Sequence, residues 1–218
     1  MNINFDWGVN MKVLLINGSP NATGCTYTAL SEVAKELEKL NIETEIFHVG
    51  KKPIRGCMAC GGCYGDKAGK CVFNDDTVNI ALEKAKEADG FIFGSPVHYA
   101  AVSGQMTSFL DRFFYAGEGF QYKPGAAIVS CRRGGATATF EQLNKYFTIS
   151  NMPVVSSQYW NMVHGRTPEE VKQDLEGMQT MRVLGRNMAW LLKSLAAGKA
   201  AGIPLPEQEE RVFTNFIR

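Results

Sequence analysis

What these 218 residues lack narrows the field first. No apolar run approaches the ~20 residues needed to span a bilayer, so no membrane partner is expected. The N-terminus lacks the charged-then-apolar pattern of a secretory signal, which points to a cytoplasmic chain. An excess of one charge is missing too: 23 basic residues face 22 acidic ones, net charge +1, which gives no argument for nucleic acid as a partner. No Gly-Lys-Ser/Thr closes a Walker A loop, and no GxGxxG marks a dinucleotide pyrophosphate site. Internal repeats, low-complexity tracts and domain linkers are absent, as is any side-chain constellation for nucleophilic or acid–base catalysis.

What is present is an alternation of short apolar runs and helix-patterned segments. Hydrophobic residues make up 45% of the chain, enough to fill the core of one α/β domain. Residues 1–10 read as an N-terminal extension, 11–200 as the domain and 201–218 as a C-terminal tail. Strands are expected at Lys12 to Asn17, Glu43 to Val49, Gly90 to Gly94, Ala126 to Cys131 and within Met152 to Ser156. Helices are expected at about 26–40, after Asp75-Asp76-Thr77, at about 103–115, at roughly 137–150 and at 168–197. The last opens on the capping box Thr167-Pro168-Glu169-Glu170, and Gly185 is a candidate bend. Five short strands, each followed by a helix, predict a three-layer α/β fold with a five-stranded parallel sheet, where ligands bind at the carboxyl ends of the strands.

Three loops at those ends carry the chemistry. Gly18-Ser19-Pro20-Asn21-Ala22-Thr23-Gly24-Cys25-Thr26 joins the first strand to the first helix. Helix N-terminal N–H groups and hydroxyls there suit a phosphate, with Ser19, Asn21, Cys25 and Thr26 as the candidate ring. Gly94 to Gly104 follows the third strand, and its Pro96, Val97, His98 and Tyr99 can lie beside an aromatic ring. Cys131 to Ala136 contains Arg133, Gly134 and Gly135, where paired glycines let a planar ligand approach the backbone.

A separate signal is the cysteine spacing. Cys57-x2-Cys60-x2-Cys63-x7-Cys71 places four of the six cysteines in one Gly-rich loop. That spacing suits a [4Fe–4S] cluster. The same thiols could hold zinc, stay free or form disulfides.

The stretches GSPNATGCT (18–26), FGSPVHYAAVSGQMTSFLDR (93–112) and SCRRGGATATFEQL (130–143) together resemble the flavodoxin-like NAD(P)H-dependent FMN reductase family, over about residues 11–155. The resemblance implies a flavodoxin-like fold with non-covalent FMN. It implies the phosphate on Ser19, Asn21, Cys25 and Thr26, and the flavin ring between Pro96, Val97, His98, Tyr99 and Arg133, Gly134, Gly135. It also implies NAD(P)H as donor, a small-molecule electron acceptor, and a homodimer or homotetramer. Two departures stand out: many relatives carry Arg or Lys near Asn21 with Asn in place of Cys25, and His98 is often Tyr. The cysteine segment resembles that of iron–sulfur flavoproteins, which makes a [4Fe–4S] electron carrier the alternative. A flavin-fold regulator whose cysteines sense redox state is a third reading.

Other residues have plainer expectations. His48 reads as packed, His164 as a surface residue, Asp75-Asp76 as a helix cap, Asp111-Arg112 as paired with neighbours, and Arg132 as solvated or drawn to an NADPH phosphate. Phe113, Phe114, Tyr115 and Phe120 read as core or as a wall over the flavin.

Overall fold

A computed structural model describes residues 10–65, 69–210, 212–214 and 216. Phe5 and Trp7 of the expected extension lie outside the described residues. Strands β1 (Lys12–Asn17), β2 (Glu43–His48), β3 (Gly90–His98), β5 (Gly125–Cys131) and β6 (Met162–His164) form a parallel sheet in the order β2-β1-β3-β5-β6. A two-residue strand β4 (Ala101–Val102) folds back antiparallel on the end of β3. The five-stranded parallel sheet is as expected, with β4 as an addition.

Strand alternation splits the core into two halves. On β1, Leu14 and Ile16 join one cluster while Val13 and Leu15 join the other. The first half packs under helices α2 (Val78–Lys86), α3 (Gly104–Ala116) and α4 (Ala136–Ile149). It is rich in phenylalanine: Phe93 stacks on Phe147 at 5.1 Å and Phe113 on Phe120 at 5.1 Å. Phe113 and Phe120 are therefore core, and Phe114 packs against them, whereas Tyr115 is exposed. The second half packs under α1 (Cys25–Lys39), α5 (Pro168–Gln173) and α6 (Leu175–Ala200).

Two expectations need correction. The fifth strand is at Met162–His164, not within Met152 to Ser156. Val154 makes only an isolated bridge to Gly125. The chain pairs there, where the Pro153 carbonyl accepts from Gly125 N and Val155 N donates to Gly125 O. It then leaves the sheet over Ser156 to Trp160 and rejoins β5 at Val129. The helix expected at 168–197 is two helices, because Asp174 breaks it. The Asp174 carboxylate accepts from Gly177 N at 2.9 Å and His164 N at 2.7 Å, capping α6 and tying it to β6. Gly185, the candidate bend, lies inside the continuous helix α6 and lets α1 approach, since a β-carbon there would stand 2.8 Å from Glu36 Cβ and 3.1 Å from the Val33 carbonyl.

Candidate functional site

The order of the sheet reverses between β1 and β3, and the three chemical loops leave the adjacent ends of β1, β3 and β5. The first loop is braced from within. Asn17 accepts from Ser19 N and donates to the Ala22 carbonyl, both at 3.1 Å, and Ser19 Oγ accepts from Asn21 N at 3.1 Å. His48 Nε2 donates to the Ser19 carbonyl at 2.8 Å, so it is a brace for this loop. With these bonds made, the N–H groups of Ala22, Thr23, Cys25, Thr26 and Tyr27 have no partner among the described residues. They include the free donors at the start of the 15-residue helix α1, an anion-binding arrangement. Cys25 adds no charge against an anion: burial pushes its thiol pKa up, and Glu170 and Glu169 push it the same way. The Thr26 hydroxyl points inward to Ser130 Oγ at 2.8 Å, leaving its backbone N–H as the donor available to a ligand.

The second loop is not irregular. Val97 pairs with Val102 and His98 with Ala101, closing a hairpin whose two turn residues, Tyr99 (φ +50°) and Ala100 (φ +59°), are both left-handed. Such turns favour Asn and Gly, so Tyr99 and Ala100 hold strain that the surrounding contacts must offset. The result is a fully exposed Tyr99 ring at the tip. At the other end, Ser103 caps α3 by accepting from Met106 N and donates to the Gly18 carbonyl at 3.0 Å, joining the second loop to the first.

The third loop docks on that hairpin. Gly135 adopts φ +91°, and a β-carbon there would stand 2.6 Å from Ala100 Cα and 3.0 Å from Val97 Cγ1. Gly134 faces open space. The N–H groups of Gly134 and Gly135 have no partner among the described residues. A cavity of about 440 Å³ continues from this loop past Tyr159, Trp160 and His164. His164 is exposed, as expected, with Nδ1 3.6 Å from the Asp174 carboxylate. The structure thus gathers the three loops, with Pro96 and Val97 half-buried and His98, Tyr99, Arg133 and Gly134 at the surface.

The cysteine loop lies elsewhere. Cys57, Cys60, Cys63 and Cys71 line one cavity of about 160 Å³ with Tyr64, Phe73, Arg112 and Tyr115. All four thiols are free. Burial pushes the Cys63 thiol up, and negative charge on Cys71, Cys57 and Cys60 acts in the same direction. Among the described residues no three His, Cys, Asp or Glu side chains stand at metal-holding geometry. The donor chemistry nonetheless fits an iron–sulfur cluster: four soft thiols around one cavity, with a buried guanidinium beside them. Asp111 and Arg112 both pair with neighbours, as expected; the position of the guanidinium beside the thiols is a finding of the structure. Arg112 is 1% exposed and pairs with Asp76, while neighbouring Asp111 accepts from Tyr146 at 2.6 Å.

A doubly wound parallel sheet in this strand order, with three loops gathered at its switch point, is an α/β fold of flavodoxin-like type. Sequence comparison makes this specific. A profile of NADPH-dependent FMN reductases matches residues 11–167, and the chain belongs to that family. It is similar to an iron–sulfur flavoprotein of Methanocaldococcus jannaschii, with 36% identity over 192 residues, covering 84% of this chain and 98% of that protein. In fold it is similar to RosB with the bound intermediate 8-demethyl-8-formylriboflavin-5'-phosphate (TM-score 0.67, 16% identity, 95% of this chain and 92% of that one). It is also similar to a flavodoxin from the domain Archaea (TM-score 0.57, 17% identity, 84% of this chain and 99% of that one). The chain is a flavin-dependent oxidoreductase with FMN as cofactor, NAD(P)H as electron donor and small-molecule substrates. No described helix is long and apolar enough to cross a membrane.

Proposed function

We propose that FMN lies across the ends of β1, β3 and β5 and that this chain uses it to pass electrons from NAD(P)H to a flavin, quinone or similar acceptor. The phosphate would be held by the free N–H groups of Ala22, Thr23, Cys25, Thr26 and Tyr27, around Ser19, Asn21, Cys25 and Thr26. The ring lies between the Pro96-Val97-His98-Tyr99 hairpin and Arg133-Gly134-Gly135. When bound, FMN supplies a ring that accepts hydride and delivers electrons onward. The protein's part is to orient that ring. The hairpin forms one wall, and the N–H groups of Gly134 and Gly135 donate to its polar edge. No side-chain acid or nucleophile is needed.

The single observation that carries this reading is the set of unpartnered N–H groups at the start of α1, beside a third loop docked on the hairpin. The test is a pair of titrations with FMN and riboflavin. FMN should bind at least about a hundredfold tighter, since charge-assisted hydrogen bonds contribute roughly 1.5–3 kcal/mol each. Equal affinity would remove the phosphate assignment.

The four thiols lining one cavity favour a second role beside the first, as an iron–sulfur flavoprotein. Cys57, Cys60, Cys63 and Cys71 would hold a [4Fe–4S] cluster, which supplies one-electron transfer when bound. The six free cysteines suit a reducing cytoplasm. Exposed Trp190 and Leu195 on α6, with Tyr99 at the hairpin tip, suit assembly into a homodimer or homotetramer.

A further inference from the structure

Arg112 is an expensive residue to bury, and its contacts show where it acts. Its Nε donates to Cys71 Sγ at 3.2 Å. Its Nη1 donates to the Arg55 carbonyl at 3.2 Å, two residues before Cys57, and its Nη2 to the Phe73 carbonyl at 3.2 Å, two residues after Cys71. One guanidinium therefore ties together both ends of the cysteine loop and touches a thiol. Asp76 supplies the countercharge from the foot of α2, and the Phe73 ring lies 5.3 Å from the guanidinium carbon. The main chain of Cys71 is held separately, with Asn79 accepting from Cys71 N at 2.8 Å and donating to Cys71 O at 2.9 Å. A buried ion pair is a poor source of stability, and apolar residues of similar volume often serve as well. A planar fork with one arm on sulfur and two on the flanking carbonyls does what no apolar residue or lysine can.

We infer that Arg112 is the positioning residue of the cysteine site. It sets the spacing of the two loop ends that carry Cys57 and Cys71, and places a positive charge against the sulfur of Cys71. This rests on the reading of the four thiols as a cluster site. Hydrogen bonds and charge at the ligating sulfurs tune both retention and reduction potential of such groups.

The test compares the full-length protein with Arg112→Lys, Arg112→Gln and Asp76→Asn after anaerobic reconstitution with iron and sulfide. Two readouts are taken: iron per chain, and the midpoint potential from a redox titration followed by electron paramagnetic resonance. Arg112→Lys keeps the charge and loses the fork; it should lose at least about half the iron with the potential held near wild type. Arg112→Gln should lose more iron. The cluster that remains should be harder to reduce by about tenfold in equilibrium constant, or about 59 mV for one electron. Asp76→Asn removes the countercharge and should shift the potential the opposite way. Full iron loading in Arg112→Lys overturns the inference even where Arg112→Gln fails to fold. So does a shift of the same sign in Arg112→Gln and Asp76→Asn. An iron-free wild type removes the cluster reading itself, a different result from a loaded wild type with indifferent variants.

Discussion

Replacing Gly135 with alanine tests the junction on which the flavin site is built. The added methyl would stand 2.6 Å from Ala100 Cα and 2.9 Å from Ala100 Cβ, so the obstacle is backbone that cannot rotate away. The residue also sits at φ +91°, which costs an L side chain about 1 kcal/mol or more. Overpacking of this kind costs about 1–3 kcal/mol, so the total is about 2–4 kcal/mol. If the third loop stays docked, the loss appears as lower stability in urea. If the loop lifts off the hairpin, FMN must pull it back, and a 2 kcal/mol cost weakens FMN binding about thirtyfold. Gly134→Ala is the contrast. Its methyl meets nothing within 4 Å, so stability should change by less than about 0.5 kcal/mol. Its FMN affinity should nevertheless fall, because the methyl enters the space assigned to the ring. The assay is urea unfolding of the apoprotein together with flavin-fluorescence titration. Wild-type stability and FMN affinity in Gly135→Ala would refute the docking argument; unchanged affinity in Gly134→Ala would move the ring elsewhere.

Two further predictions follow from contacts away from the ring. Ser103→Ala removes the α3 cap and the bond to the Gly18 carbonyl, and should cost about 1–2 kcal/mol in urea unfolding; a loss below about 0.3 kcal/mol would contradict the bracing role. The Glu36 carboxylate accepts from Lys39 Nζ at 2.5 Å and Arg186 Nε at 3.0 Å, which holds its pKa below the ordinary 4.5. The folded state thus favours the charged form, so its contribution is complete above about pH 4.5 and is lost as the pH falls through the lowered value. Wild type should lose stability below that pH more steeply than Glu36→Gln, and parallel curves would exclude Glu36 as the source.

The parts of this fold that could be read in advance are those the local pattern dictates. Val13-Leu14-Leu15-Ile16 is apolar on both faces because helices cover both, and Gly18 to Thr26 announces a turn into a helix by composition alone. The hairpin at Tyr99-Ala100 was hidden because its left-handed positions carry neither Gly nor Asn. The fifth strand was misplaced because Pro153-Val154-Val155 has strand composition yet pairs only at Gly125, where the chain then departs. The break at Asp174 leaves the helical period intact and is made by bonds to His164 and Gly177. Cysteine spacing is local and was legible; the hold of Arg112 on Cys71, 41 positions away, is tertiary and was not.

The central claim is that this chain is an FMN-dependent oxidoreductase driven by NAD(P)H. Its most direct test is the visible spectrum of the purified protein, loaded with FMN and then mixed anaerobically with NADH or NADPH. The account predicts a yellow protein holding FMN in proportion to chain, whose flavin bands bleach with one of the two nucleotides and return when a quinone is added. A protein that takes up no FMN, or whose bound FMN neither nucleotide reduces, would contradict it.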